Sequence, residues 1–318
     1  MVITGLHTLA SAAPLHGQDR GVGATECCLP LLFPIGARAV GTGNSLTARD
    51  GPDALHVNPA ALAGLAKDEF RVHNAKTEFE TSNTFALALR IRTAGVVGIA
   101  YRLIDYGEAE ATDDFGNPTG ILRLLEQSLL ATFATTMADG LTAGISYKLF
   151  QFRQDCNNIC GGADFSATTH GIDAGVQFHP RIWPALQLGA AVTHVGLPLQ
   201  VINAEQASPM PSRIRAGAAY ELMHHFSADT TTVVWATADV ATSWRTGVPP
   251  VAAVGVEVIL DRTMYVRTGY TTGTGRTAGA AVGLGLRYDR FDVGVAKSFV
   301  ASATGTPDPF QVTFAITF

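Results

Sequence analysis

From Phe70 to its last residue, the chain repeats short segments in which apolar and polar side chains alternate. A period of two places every apolar side chain of a segment on one face of a β-strand. In the last segment Phe310, Phe314 and Phe318 share one face, and Gln311 lies on the other. We count about fourteen such segments. They are Phe70–Phe79, Asn83–Arg90, Gly95–Ile104, Ser128–Met137, Leu141–Phe150, Gly171–Phe178, Ala185–Val195, Arg213–Leu222, Thr231–Val240, Val251–Leu260, Thr263–Tyr270, Gly279–Tyr288, Phe291–Phe299 and Phe310–Phe318.

The lengths of the strands and of their connections indicate a membrane barrel. Most segments approach the roughly 9–11 residues with which a tilted strand crosses hydrocarbon. Long connections such as Asp105–Gln127, Gln151–His170 and Gly196–Ser212 alternate with minimal ones such as Asp261-Arg262. Outer-membrane barrels alternate long outer loops with short periplasmic turns in the same way. The pattern therefore predicts an all-β fold, an antiparallel transmembrane β-barrel of about 14 strands.

Composition agrees with a bacterial outer-membrane location and with lipid as a partner. The chain is 47% hydrophobic and only 15% charged, with a net charge of −5. A soluble domain carries about 25% charged residues. No run reaches the roughly 18 apolar residues of a spanning helix. With no basic stripe, we expect no nucleic acid as a partner.

The residues before the first strand form a different kind of segment. Residues 30–68 are rich in Gly and Ala, and we predict that they form a plug inside a barrel of residues 69–318. Asn58 is predicted to cap a short helix, Pro59 to begin it and Gly64 to end it in a left-handed conformation. Residues 1–29 are predicted to be a degenerate signal or leader, because the apolar patch Leu6–Ala13 has no Lys or Arg before it.

Charged side chains fall on the predicted lumen face. Those of the wall are Lys148, Asp173, Arg213, Arg215, Glu221, Asp239, Glu257, Arg267 and Arg287. The plug adds Arg38, Arg49, Asp50 and Asp53. One hypothesis is that wall and plug charges pair and hold a removable plug. The alternative is that they are solvated separately in a wet lumen.

A glycine is followed three residues later by an aromatic residue in five of the predicted strands. The pairs are Gly98/Tyr101, Gly144/Tyr147, Gly175/Phe178, Gly217/Tyr220 and Gly285/Tyr288. An odd offset puts the two on opposite faces. The glycine then faces the plug where backbones approach closely, and the aromatic lies near a membrane interface. Alternatively, glycine only relieves curvature in the barrel.

The stretch GARAVGTGNS, followed by RDGPDALHVNPAALAGL, resembles the amino-terminal signature of the PorV/PorQ family. That family is related in fold to the FadL transporters of hydrophobic compounds, which carry a similar Asn-Pro-Ala in their plug. The resemblance extends over nearly the whole chain after Pro30 and implies a plugged barrel associated with type IX secretion. The residues assigned to the plug motif are Gly36, Arg38, Gly41, Gly43, Asp50, Asp53, Asn58, Pro59 and Ala60.

Two classes of function follow. A PorV-like protein would bind secreted protein cargo or a translocon subunit at the outer membrane, and a FadL-like channel would pass a hydrophobic small molecule. No G-x-S-x-G or H-E-x-x-H motif is present, so we predict neither an enzyme nor a bound cofactor. Cys156 and Cys160 are close enough in sequence for a disulfide, or they are two free thiols, and no metal site is predicted.

Overall fold

The computed structural model describes residues 26–77, 80–157, 164–201, 204–225, 231–243, 249–272, 278–300 and 310–318. Fourteen strands pair antiparallel with their neighbours in sequence, and β14 pairs with β1, so the sheet closes into a barrel. The strands are β1 Glu69–Lys76, β2 Thr81–Ile91, β3 Gly95–Thr112, β4 Pro118–Ala138, β5 Leu141–Asn157, β6 Phe165–Phe178, β7 Leu186–Gly196, β8 Arg213–Glu221, β9 Thr232–Thr242, β10 Val251–Leu260, β11 Met264–Thr271, β12 Gly279–Tyr288, β13 Phe291–Val300 and β14 Phe310–Thr317. The predicted fold class is confirmed.

The wall is apolar on its outer face and polar on its inner face. On β5, Ile145 and Tyr147 are 54% and 52% exposed, whereas Ser146 and Lys148, which alternate with them, are 1% and 5% exposed. Leu284 on β12 is likewise 57% exposed. Apolar side chains exposed around a barrel form the surface that lipid covers in outer-membrane proteins. Closure also leaves no strand edge unpaired, so this is the architecture of an outer-membrane β-barrel.

Four neighbouring strands rise far above the others. β3, β4, β5 and β6 have 18, 21, 17 and 14 residues, whereas β1 and β14 have 8 each. The predicted loop Asp105–Gln127 is therefore wrong, because the strands continue to a turn at Asp113–Asn117. Most of the predicted loop Gln151–His170 is strand too. Above the membrane a strand needs hydrogen bonds to a neighbouring strand but no apolar face toward lipid. Because the sequence prediction relied on alternating apolar residues, it made these strands too short.

The described residues before β1 pack inside the barrel, and we call these residues, 26–68, the plug. It contains the short helix α1, Ala37–Gly41, and the 3-10 helices Leu29–Leu32, Pro52–Ala54 and Pro59–Gly64. Two further 3-10 helices, Ala204–Gln206 and Leu222–His225, lie in connections of the wall. In the described part of the chain, no helix is long and apolar enough to cross a membrane.

Candidate functional site

The plug contacts the wall backbone to backbone, and glycines of the wall make this possible. A Cβ added at Gly189 would overlap the carbonyl of Thr47, and one added at Gly269 would overlap the backbone of Thr42. Gly36 of the plug has φ +92°, and its N–H donates to Gln311 Oε1 at 2.7 Å. A side chain at these wall positions would push the plug away from its seat, because such contacts leave no room for a Cβ.

Four of the five glycines in the glycine–aromatic pairs point at the plug. A Cβ at Gly98 would lie 2.5 Å from Leu62 Cδ1, and one at Gly144 would lie 2.5 Å from the carbonyl carbon of Pro59. Gly175 faces Asn58, and a Cβ at Gly217 would meet both Asp239 of the wall and, at 2.9 Å, Thr47 of the plug. Gly285 differs, because its nearest atoms belong to Arg267 and Tyr265 of the wall. Close approach of the plug therefore accounts for four of these glycines but not for the fifth.

Asn58 forms hydrogen bonds both within the plug and to the wall. Its Oδ1 accepts from Ala60 N–H at 3.0 Å, and its Nδ2 donates to the carbonyls of Thr47 at 2.8 Å and Val176 at 3.1 Å. The helix that it caps is a 3-10 helix that starts at Pro59. The predicted left-handed Gly64 is wrong, because Gly64 is absent from the residues with positive φ. Glycine is needed there because a Cβ would lie 2.9 Å from Asp50 Cγ.

One wall carboxylate receives three guanidinium groups. Arg38 of the plug donates to Glu257 through Nε at 3.1 Å and Nη2 at 2.9 Å. Arg267 of the wall donates through Nε at 2.8 Å, and Arg49 of the plug approaches to 3.4 Å. Arg49 also covers the Trp235 ring, 3.7 Å from its centroid. Glu257 is 2% exposed, so this charged cluster fastens the plug to β10 and β11 in a buried setting.

A second ion pair fastens the plug to the first strand. Arg71 Nη1 lies 2.6 Å from Asp53 Oδ1, and Arg71 Nε also contacts Glu69. Burial alone would raise the pKa of Asp53, but the positive charges of Arg71 and Arg38 lower it below its usual value. Sequence reasoning missed Arg71. The alternation of side chains in β1 could have revealed this residue, because it puts Glu69, Arg71 and His73 on one face of the strand.

Asp239 of β9 binds the middle of the plug. Its Oδ2 accepts from the Thr47 backbone N–H at 3.0 Å, and Arg215 approaches the same oxygen to 3.2 Å. Arg215 Nη2 also donates to the carbonyl of Asn44 at 2.8 Å. Arg213, two residues further out on the same face, binds Glu26 at 2.7 Å. Contacts with the wall therefore include a residue before Pro30, the predicted start of the plug.

Not every predicted lumen charge reaches the plug. Lys148 pairs within the wall with Asp173 at 2.9 Å, and its Nζ lies 2.7 Å from His194 Nδ1. Arg287 pairs with Asp292 at 2.8 Å at the periplasmic end, where its side chain is 46% exposed. The remaining predicted lumen charge, Glu221, is half-buried at the end of β8. Asp50 of the plug lies 3.8 Å from His179 in the turn between β6 and β7.

The wall has a bulge where β6 meets β7. Ile172 pairs with Val195 and Ala174 with Val192, so two residues of β7 oppose Asp173. The backbone N–H of His194, whose φ is +59°, donates to Asp173 Oδ1 at 2.7 Å. The Asp173 carboxylate thus accepts a hydrogen bond that the regular β-ladder lacks at the bulge. The bulge is a local irregularity in the wall, and Lys148 and Asp173 stabilise it.

A small cavity separates the plug from this bulge. Its volume is about 20 Å³, room for one water molecule, and its lining includes Leu31, Phe33, Ile35, His56 and His194. Burial, with the positive charges of neighbouring side chains, lowers the pKa of His56 to about 3, so this plug imidazole is neutral. No group of three or more metal-ligating side chains occurs in the described residues.

The cysteines of the described chain lie near the outer end. Cys27 and Cys28 at the top of the plug are joined by a disulfide, which sequence reasoning did not predict. Cys28 packs with Phe150 and Leu199. Cys160 of the predicted Cys156–Cys160 pair lies outside the described residues, and the backbone N–H of Cys156 donates to Asp164 at 3.1 Å.

Several solved structures share this fold. The toluene transporter TodX of P. putida superposes with a TM-score of 0.63 at 12% identity, covering 89% of this chain and 98% of that one. The CymD monoaromatic hydrocarbon channel gives 0.56 at 13% identity, covering 89% and 97%. A FadL homologue of Pseudomonas aeruginosa gives 0.51 at 12% identity, covering 90% and 99%.

Sequence comparisons add no family to this structural likeness. No protein-family model and no curated protein sequence matches the chain. The resemblance to PorV/PorQ therefore stays a prediction. Identities near 12% show a shared fold and no shared activity. The chain is an outer-membrane β-barrel with the fold of the FadL-type channels and with its own amino-terminal segment packed in the lumen.

Proposed function

We propose that this protein is a plugged channel that passes small hydrophobic molecules across the bacterial outer membrane. The observation that carries the proposal is an apolar surface that leads from the raised strands β3–β6 down to the cavity at the β6–β7 bulge. On this interpretation the lumen charges hold the plug and catalyse no reaction. The names of the structural neighbours, a toluene transporter and a monoaromatic hydrocarbon channel, support apolar molecules of that size as the first probes.

The raised strands present apolar side chains toward the barrel axis. Leu122 and Leu124 on β4 lie on the same face as the buried Leu130, and both are half-buried, with Glu126 between Leu124 and Leu130 on that face. Phe152 on β5 and Phe165 on β6 belong to the apolar cluster around Cys28 and Phe150. The charged pair Arg123–Asp105 lies on the opposite face. Apolar side chains near the outer end of the barrel suit the first contact with an apolar solute.

This apolar surface continues onto the top of the plug. The cluster around Cys28, Phe150 and Leu199 includes Leu31, and Leu31 also lines the cavity at the bulge. A cavity of about 20 Å³ is too small for an aromatic hydrocarbon, so passage requires movement of the plug. The plug is held by ion pairs and hydrogen bonds, which water can replace during such a movement.

A disulfide lock tests whether the plug must move. A Cβ at Gly294 would lie 3.1 Å from Ala37 Cβ, near the usual spacing of about 3.5–4.5 Å in a disulfide. The double variant A37C/G294C should form barrels that take up labelled toluene into intact cells only after reduction. Uptake by the wild type should exceed that of cells with an empty vector. The wild type with and without reductant controls for the native disulfide, and each single cysteine variant controls for the substitutions.

Two outcomes would contradict this proposal in different ways. If the wild type is present in the outer membrane and takes up no more toluene than the empty-vector cells, the channel function for this class of solute is wrong. If uptake by the wild type is clear but the oxidised lock leaves it unchanged, the channel function stands and movement of α1 is not part of it.

A PorV-like binding role is the second candidate, favoured by the hairpin between β3 and β4. Phe115 at its tip is 91% exposed, and Asp113 Oδ1 accepts from the backbone N–H groups of Phe115 and Asn117 at 2.9 Å each. An ordered, exposed aromatic side chain is a suitable anchor for a protein partner. A photocrosslinker at position 115 should then give one defined protein adduct in native membranes, whereas a channel without a partner should give none.

A further inference from the structure

The outer face of the barrel carries two lysines on either side of one phenylalanine. Phe310 of β14 pairs with Lys76 of β1 on one side and with Lys297 of β13 on the other. Phe310 is 48% exposed and both lysines are exposed, whereas the neighbouring Gln311 and Ala296 are 7% and 3% exposed. All three side chains therefore point out of the barrel. Adjacent strands are about 4.8 Å apart, so the lysine Cα atoms are about 10 Å apart.

These lysines lie on the outer-leaflet half of the wall. Lys76 is the last residue of β1, on the side of the connection to β2 that faces away from the periplasmic turns. Lys297 is six residues above Phe291, the first residue of β13, which is about 15 Å along the membrane normal for a strand tilted by about 40°. Flexible lysine side chains extend further toward the nearest interface.

The other outward-facing cations near the outer end have acidic partners. Arg123 contacts Asp105, and Arg153 Nε lies 2.6 Å from Asp155. Within the described residues neither Lys76 nor Lys297 forms an ion pair. Lys297 Nζ instead lies 5.6 Å from the centroid of the Phe299 ring. Two cations on a lipid-facing surface, with no carboxylate of the described residues paired to them, suit an anion supplied from outside the chain.

A polar pair next to Lys76 extends this surface. Asn74 is exposed on the same face of β1, two residues below Lys76, and its Nδ2 donates to Asn83 Oδ1 of β2 at 2.8 Å. The amides have further hydrogen-bonding capacity directed outward. Side chains of this kind are unfavourable against hydrocarbon and suit contact with a polar headgroup.

We propose that Lys76, Lys297 and Asn74 bind the phosphorylated headgroup of an outer-leaflet lipid, whose acyl chain packs on Phe310. Each lysine is a compact point charge on a flexible stem, so the two converge on one phosphate or bind two phosphates of one headgroup. The site is on the outside of the barrel and does not depend on what passes through the lumen.

Native mass spectrometry of the detergent-solubilised protein tests this site, with diphosphoryl lipid A as the probe. The wild type should bind the probe at least tenfold more tightly than fully dephosphorylated lipid A. Each of K76Q and K297Q should weaken binding about fivefold, and the double variant about 25-fold, because a cation at an anionic lipid surface contributes roughly that factor. R153Q is the matched control, since Arg153 faces outward at the same end but already has a carboxylate, and it should bind like the wild type.

The inference is overturned if K76Q/K297Q binds diphosphoryl lipid A as tightly as the wild type, or if dephosphorylated lipid A binds equally well. Displacement of bound lipid by millimolar inorganic phosphate would also overturn it, because the lysines would then bind free phosphate without recognising a lipid. Each variant is first shown to form the barrel by its heat-modifiable migration on a gel, so lost binding cannot reflect failed folding.

Discussion

At the scale of single residues, the plug is held by side chains whose roles depend on partners far away in sequence. Asn58 was predicted as a helix cap because its neighbour Pro59 gives a local signal, and the Oδ1 contact with Ala60 at 3.0 Å has that geometry. Glu257 was predicted only as one lumen charge among many. Its convergence with Arg38, Arg49 and Arg267 depends on strand register and on the path of the plug, and neither is encoded in local spacing.

The imidazole of His56 makes the stability of the plugged protein depend on pH. Burial lowers its pKa to about 3, below the value of about 6.5 in an unfolded chain. The neutral ring is therefore favoured in the folded state, and this contribution is full above about pH 6.5 and decreases as pH falls toward 3. Between pH 7 and pH 5 the wild type should lose about 2 kcal/mol more unfolding free energy than H56N, measured by urea unfolding in micelles. Equal losses would show that His56 titrates normally.

At the scale of secondary structure elements, the alternation of side chains predicted the number, order and facing of the strands. The same alternation did not predict the parts of the strands that extend above the membrane. There Glu108, Glu110 and Arg123 lie in β3 and β4 without the apolar face that marks a strand against lipid. The bulge between β6 and β7 was also unpredicted, because Thr193 and His194 give no turn or glycine signal. A bulge is a property of two paired strands, which a single segment does not reveal.

The bulge beside the cavity provides a prediction at this scale. Deletion of His194 leaves Thr193 opposite Asp173 and lets the β6–β7 ladder continue without an extra residue. We expect a barrel that still forms but takes up labelled toluene at the rate of empty-vector cells, because the irregular stretch next to the cavity is gone.

H194G is the control for this deletion, since it removes the imidazole and keeps the extra residue. Its uptake should stay within about twofold of the wild type, because glycine also accepts the φ of +59° at this position. Undiminished uptake by the deletion variant would show that the bulge has no part in transport.

At the scale of the whole molecule, charged side chains join the plug to the wall, and they are distributed unevenly around the lumen. Glu257 receives three guanidinium groups, so this cluster carries a net positive charge inside the barrel. Asp53 of the plug binds Arg71 of β1, and Asp239 of β9 binds Thr47 of the plug. The plug is therefore fastened at several separate points around the lumen, and removal of one charge should loosen it without unfolding the barrel.

The variant E257Q tests this arrangement. Removing one partner of a buried ion pair costs about 3–5 kcal/mol, because the remaining charges stay desolvated. We expect the plug to leave its seat at least tenfold more often, seen as brief ion-conducting openings in planar lipid bilayers. D292N is the control, since it breaks the partly exposed pair with Arg287, and such pairs contribute about 0–1 kcal/mol. If E257Q is as silent as the wild type, the cluster does not retain the plug.

Gly36 and Ala37 form contacts that are relevant to the assembly of the barrel. Their backbone N–H groups donate to Gln311 at 2.7 Å and Thr313 at 2.8 Å, and both acceptors belong to β14, the strand that meets β1 at the seam. The plug thus forms hydrogen bonds with a strand of the seam that closes the barrel. Each of the two supplies partners for polar groups of the other that would otherwise be buried without a hydrogen bond. We therefore expect closure of the seam during assembly to be coupled to the seating of this part of the plug.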